Sequence, residues 1–397
     1  MCDEKLKVKI NKNIVPKQQN PKPFIQRYLL SLQLFLVAIS LPATTLAQWT
    51  IFDIKTNVHM RAVFTLTPTI CWIGGTQGTI FKTNNGGKTW TTYKVPAGDS
   101  LEFRDIHAFD RQTAIAMSAG EAQQGKARIY RTEDGGASWN LVYQSTQNGV
   151  FLDGFDFWDK KRGICAGDPV DGRLFILTTE DGGKTWKEAD ASARPQTLPG
   201  EACFAASGTS IITTGKSDVY IGTGGAQKAR IFHSDDYGLS WKITETNMAA
   251  GPTSGIFGLR FLSKKIGIAV GGDYKNTTDS SLNVLRTTDG GETWAPEKAI
   301  TKPAGLKEAV GIYRKTSATW NGDTEIRSDQ FALIAVGPSG NSYSNDRGKT
   351  WRELGKQPFH SISFAGNVGY AVGSKGLIGK IDKVSTKKRK KRLVLVD

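Results

Sequence analysis

An eight-residue pattern, Ser/Thr-x-Asp-x-Gly-x-Ser/Thr-Trp, constrains this chain more than any other feature. Its clearest copy is Thr179-Glu180-Asp181-Gly182-Gly183-Lys184-Thr185-Trp186. It returns around Asp134, Asp236, Asp289 and Asp346, and a sixth copy carries Asn85 at the same position. Successive copies lie 49, 47, 55, 53 and 57 residues apart. Short polar side chains that bond their own backbone close a turn locally. Glycine takes the positive φ such a turn needs, and the Trp opens the next strand with a large apolar surface. A turn repeated at this interval is the mark of a repeat architecture. The box positions are therefore read as structural and not as chemistry.

Strands fall in groups of four between the boxes. The expected inner strands are Arg61–Leu66, Arg104–Phe109, Leu152–Trp158, Ala202–Ala206, Gly258–Leu262, Ala309–Tyr313 and Ser361–Phe364. Each is followed by a second strand that ends in or near Gly, such as Val368–Gly373. There are seven of each but only six boxes, because the last third strand, Leu377–Ile381, runs into Lys383. The missing outer strand is found at the other end, where Trp49–Ile54 reads as a box Trp and its strand with no box before it. Pairing these two stretches closes a ring and removes its free edges. The expected fold is all-β: a seven-bladed β-propeller of four-stranded antiparallel blades over 48–382, its seventh blade closed by the mature N-terminal strand.

The ends read differently. Residues 1–27 are basic, Tyr28–Leu41 is apolar, and small residues lead to Ala47. That order is a signal peptide over 1–47, and the apolar run is short for a membrane span of about 20 residues. Export to a periplasmic or extracellular compartment follows. Residues 383–397 form a basic tail, expected to be disordered, which offers contact with an anionic surface. These two ends carry net charges of +5 and +6 out of +15, leaving +4 for the body. A basic footprint for nucleic acid is thus not supported.

Cys71, Cys165 and Cys203 lie in apolar strand patterns and read as buried free thiols; a Cys165–Cys203 disulfide is the alternative in an oxidising compartment. No phosphate loop, nucleophile elbow or metal-ligand spacing is present, and the four histidines are scattered. No cofactor, metal or catalytic residue is assigned. The longer polar connections, among them Gly120–Ala127, Glu188–Glu201 and Gly271–Asn283, gather on the face opposite the boxes. Loops of that kind mark a binding face. Its charged candidates are Arg61, Arg104, Asp105, Glu121, Asp153, Asp168, Arg173, Glu201, Arg260 and Asp273. Thr316–Gln330, on the box face, reads as a hairpin extension or second contact surface.

The boxes resemble Asp-box (BNR) repeats. Second strands such as Val368-Gly369-Tyr370-Ala371-Val372-Gly373 and Ile266-Gly267-Ile268-Ala269-Val270-Gly271 further resemble the photosystem II stability/assembly factor family, as does Ala335–Gly340. That resemblance implies an exported, non-enzymatic propeller, acting as a monomer, that binds a protein or peptide on its long-loop face. Asn85, the absent seventh box, the Thr316–Gln330 insertion and the basic tail depart from the family pattern. Sialidases share the boxes and imply the alternative of a glycan-active enzyme using rim carboxylates. Their arginine triad, Tyr–Glu pair and Asp cannot be assigned to positions here.

Overall fold

The computed structural model describes residues 49–279, 281–321, 324–384 and 392–395. The expected signal segment and most of the basic tail lie outside the described residues. Seven antiparallel sheets follow one another around a ring. Blade 1 is Met60–Thr65, Cys71–Gly75, Thr79–Thr83 and Thr91–Lys94, from the inner strand outward. The remaining inner strands are Glu102–Ala108, Leu152–Phe157, Ile211–Thr214, Ser254–Phe261, Ala309–Asn321 and Phe359–Ala365. Neighbouring inner strands touch in chain order, and the last touches the first. In the seventh sheet Thr50–Asp53 lies outermost, antiparallel to Leu377–Ile381, with Thr50 opposite Lys380. Trp49 packs on Phe359 at 4.7 Å between ring centres.

Each box is a closed hydrogen-bonded turn. Thr179 Oγ1 donates to Asp181 Oδ1 (2.9 Å) and accepts from Gly183 N (2.9 Å). Asp181 Oδ1 accepts from Lys184 N and Thr185 N, and Oδ2 from Thr185 Oγ1 (2.7 Å). Gly183 has φ +75°, and a Cβ there would come within 2.4 Å of Ile115 in the preceding blade. Asn85 keeps the design with one bond reversed, since its Nδ2 donates to Thr89 Oγ1 (2.8 Å). Its Oδ1 still accepts from Thr89 N (2.9 Å).

The boxes also join blade to blade. In three blades the residue just before the box, and in the seventh Lys380 at the matching place, donates to the fourth-position carbonyl of the next box. Lys82 Nζ reaches Gly135 O (3.0 Å), and Arg131 Nε reaches Gly182 O (3.1 Å). Arg286 Nε reaches Arg347 O (3.0 Å), and Lys380 Nζ reaches Gly86 O (3.1 Å). Between blades 4 and 5 the donor is the Tyr220 hydroxyl, 2.6 Å from Gly290 O. Lys82 is buried and lies 4.1 Å over the Trp72 ring, so its stem packs while its head bonds carbonyls.

Three expectations need correction or extension. Ala202–Ala206 is not the inner strand of blade 4; Ile211–Thr214 is. Ala202 bridges to Gly224, after which the chain leaves the blade and crosses the axis, and buried Ile211 and Ile212 fill the inner position instead. Thr316–Gln330 forms the hairpin extension, with blade 6's first two strands paired out to Asn321 and Thr324. The tail is not wholly without structure, because Arg392–Leu395 pairs along Thr324–Arg327, an edge whose backbone groups are free to accept a strand. Cys71, Cys165 and Cys203 are buried free thiols.

Asp181→Ala removes four hydrogen bonds at an exposed turn and is expected to lower unfolding free energy by about 1–2 kcal/mol. Asp181→Asn, which copies the Asn85 box, should lose clearly less. Urea denaturation of both variants checks this; equal losses would show that the box tolerates no such reversal.

Candidate functional site

The inner strands share a second device. Five carry a one-residue bulge near their upper end, on the face away from the boxes. The residues left out of register are Arg61, Arg104, Asp153, Phe257 and His360. A bulge re-aims its side chain, and all five are turned toward the upper end of the axis.

There they meet the connection that precedes Ile211. Residues 203–209 form a strap across the channel. Arg104 Nη1 donates to Ala205 O (2.7 Å) and Arg61 Nη1 to Ala206 O (3.3 Å). Asp168 Oδ1 accepts from Cys203 N (3.0 Å). Ser207 Oγ donates to Glu308 O (2.9 Å), Ser361 Oγ donates to Ser207 O (3.0 Å), and Leu259 N donates to Thr209 O (2.8 Å). The strap is thus held by every other blade, or by the connection leading into it. At Gly208, with φ +72°, a Cβ would lie 2.3 Å from Asp105 Oδ1, so only glycine passes there.

A charge ladder runs beside the strap. His360 Nδ1 lies 2.7 Å from Glu308 Oε2, which pairs with Arg61 Nη1 at 3.2 Å. Arg61 Nε lies 3.7 Å from Glu102 Oε1, and Glu102 Oε2 pairs with Arg104 Nη2 at 3.0 Å. Signs alternate, so the ladder is internally compensated. Next to it is an aromatic shelf. Phe204 and Phe257 stack at 4.2 Å with their planes 3° apart, and Tyr274 stands edge-on to both, 45% exposed. Ladder, shelf and Pro338 enclose a cleft of about 400 Å³.

Of the ten charged candidates, Arg61 and Arg104 reach this cleft, and Asp153 and Asp168 hold the strap from blade 3. Glu121, Asp168 and Glu201 border a neighbouring groove. Glu201 itself is 4% exposed; it pairs with Arg230 and accepts from Thr223 Oγ1 (2.6 Å). Arg173 donates to Arg194 O (2.6 Å), and Asp273 accepts from Thr253 Oγ1 and Lys275 N (both 2.8 Å). These three are internal struts of their loops. Asp105 and Arg260 are not on the rim at all; both face an axial cavity below the strap, because inner-strand alternation beyond the bulge turns them inward. Sequence reasoning missed Glu102, Glu308, His360 and the shelf. The signal for the strap was the β-branched run Ile211–Thr214, a better inner strand than Ala202–Ala206. Among the described residues no group of three or more His, Cys, Asp or Glu is placed to hold a metal ion.

The class of protein is therefore a seven-bladed β-propeller with its channel closed by a strap. No protein-family model and no curated sequence matches the chain. Solved structures do match its fold. A YCF48 structure bound to D1 peptide has a TM-score of 0.57 at 14% identity, covering 87% of this chain and 100% of that one. YCF48 from Cyanidioschyzon merolae has a TM-score of 0.55 at 17% identity, covering 84% and 99%. An ancestral GH74 enzyme has a TM-score of 0.51 at 14% identity, covering 84% of this chain and 46% of that chain.

Burial pushes Asp168 up to about 6, and nearby Glu121 adds to the rise against the Cys203 N–H bond. Buried Asp153 is raised as well, by burial first and then by the charge of Asp168. A carboxyl raised in the folded state binds more protons than in the unfolded chain between its two pKa values. Its contribution therefore falls as pH rises from about 4 to about 6. The stability difference between wild type and Asp168→Asn should change by at most about 2 kcal/mol across that window. Urea melts at pH 4.5, 5.5 and 6.5 check this; a constant difference would mean Asp168 does not titrate there.

Proposed function

We propose that this protein is an exported, non-enzymatic propeller that binds a protein or peptide partner in the cleft on its long-loop face. The observation that carries the reading is the Phe204–Phe257–Tyr274 shelf beside the Arg61–Arg104 ladder. An exposed aromatic beside a compensated polar rim suits the side chains of a peptide, whose backbone can bond the rim. The strap fixes that surface before any partner arrives, which reduces the ordering cost of binding. A fold neighbour, YCF48, has a structure bound to D1 peptide, and this lends the reading further support. Assembly or stabilisation of a partner is the role such a rigid, ligand-ready surface suits.

The test is selection from a random peptide library against protein purified from the cell envelope, which should begin at Gln48 if the leader is removed. Selected peptides should lose about tenfold or more in affinity on Tyr274→Ala, the scale of an interface hot spot, and keep it on Arg347→Ala at the box face. Loss on Arg347→Ala alone would move the site to the other face.

A second reading, a glycan-active hydrolase of the sialidase or glycoside hydrolase kind, has one observation in its favour. Asp153 and Asp168 are neighbouring carboxyls with raised proton affinity, a property a general acid requires. Asp153 is only 2% exposed, however, and lies beneath the strap. No turnover is expected on a panel of sialosides and β-glucans. Turnover lost in Asp168→Asn at unchanged melting temperature would install the enzyme reading instead.

A further inference from the structure

Below the strap the channel widens into a cavity of about 400 Å³. Ser207–Thr209 roof it, and the lower ends of the inner strands line it down to Gly366 and Arg314 at the box face. The cavity is separate from the upper cleft, because the strap lies between them. Its walls mix polar and apolar groups, the apolar share coming from Phe64, Phe155, Phe261, Phe364, Ile312 and Ile362 of five blades.

Most polar groups in it are already engaged. Asp105 accepts from Ile106 N and Phe155 N, both at 2.8 Å. Asp156 accepts from Phe157 N (2.8 Å), Thr213 N (2.7 Å) and Thr213 Oγ1 (3.1 Å). Ser363 accepts from Thr65 N, and Ser207 donates to Glu308 O. Arg260 is the exception. Its Nε makes one long bond to Val310 O (3.4 Å). Among the described residues its two terminal nitrogens have no hydrogen bond and no ion pair. Asp105 and Asp156 attract its charge without coming to ion-pair distance.

A guanidinium carries five donors in a planar fork. Held away from bulk water with most of them idle, it is poised for an acceptor of matching shape. The charges agree. Burial holds the His107 imidazole down at about 4, so it is neutral, and burial pushes the Asp105 carboxyl well above the usual carboxylate range, favouring its uncharged acid. Arg260 and Arg314 then face Asp156 and an Asp105 carboxyl whose charge burial disfavours, which tilts the cavity toward positive charge.

We propose that the axial cavity is a binding site, entered from the box face, for a small organic oxyanion with an aromatic or apolar body. The oxyanion, a carboxylate or a phosphate, pairs with the Arg260 fork, and the body lies among the phenylalanine and isoleucine walls. Arg–oxyanion pairs of this kind are bidentate and charge-assisted. The site is independent of the peptide cleft above.

Isothermal titration calorimetry on the full chain tests it with three probes of one shape: benzoate, phenyl phosphate and neutral benzamide. Benzoate or phenyl phosphate should bind about tenfold or more tightly than benzamide, as for a charge-assisted pair. Arg260→Met should erase that preference, and Ile312→Trp, which narrows the cavity while leaving Arg260 in place, should exclude all three. Should Arg260→Met not fold, Arg260→Lys keeps the charge without the fork and should lose much of the preference. Tyr274→Ala should leave benzoate binding intact, which separates this site from the upper cleft. Equal affinity for benzoate and benzamide, or benzoate binding unchanged by both Arg260→Met and Ile312→Trp, would overturn the proposal.

Discussion

The structure depends on a hydrogen bond that leaves one repeat and ends in the next. Lys82, Arg131 and Arg286 each stand one residue before the box of their own blade, and Lys380 stands at the matching place in the seventh blade, which has no box; each donates to a box carbonyl of the following blade. Those carbonyls are presented by turns already closed by Asp or Asn, so donor and acceptor are both fixed before they meet. At those four junctions the bond ties adjacent sheets together at one radius. A sheet fourfold in strands and twisted in one sense needs such a spacer if seven copies are to meet without a gap. Seen this way, the box is a strut of the ring as much as a turn.

On the opposite face the same inner strands do different work. Five bulges at equivalent heights turn Arg61, Arg104, Asp153, Phe257 and His360 toward the axis. Without the extra residue, strand alternation would direct these side chains elsewhere. The strap depends on two of them, since Arg61 and Arg104 supply the donors for two of its carbonyls, while Asp168 on the neighbouring strand takes one of its N–H groups. It in turn divides the axis into two compartments of different character. The upper one is a compensated charge ladder with an aromatic shelf. The lower one holds an underused guanidinium among mixed polar and apolar walls. One connecting segment therefore gives the propeller two separate surfaces to offer.

The number of blades, the turns that end their third strands and the face that carries the long loops were all legible in the residues. Each rests on chemistry closed within a few positions: an Asp that bonds N–H groups three and four residues on, a Gly with positive φ, a Trp that starts a strand. Repetition then multiplies a local signal sixfold, which is why the ring could be counted. Glu201 and Asp273 looked like rim charges because a charge in a polar loop reads the same whether it braces that loop or faces a partner; only their partners within the loops separate the two cases.

The two axial compartments were decided by tertiary structure. Arg61 meets Glu308 across 247 residues and Arg104 meets Ala205 across 101. No periodicity in a single chain records such pairs. A bulge is one extra residue whose effect depends on the strand opposite, so it leaves no pattern of its own in the sequence. The strap was hidden for a related reason: Ala202–Ala206 has the apolar character of an inner strand, and only the competition with Ile211–Thr214 for one slot in blade 4 sends it across the axis. Arg260 faces the cavity for the same geometric cause, because the ring and its roof together determine what an inward side chain meets.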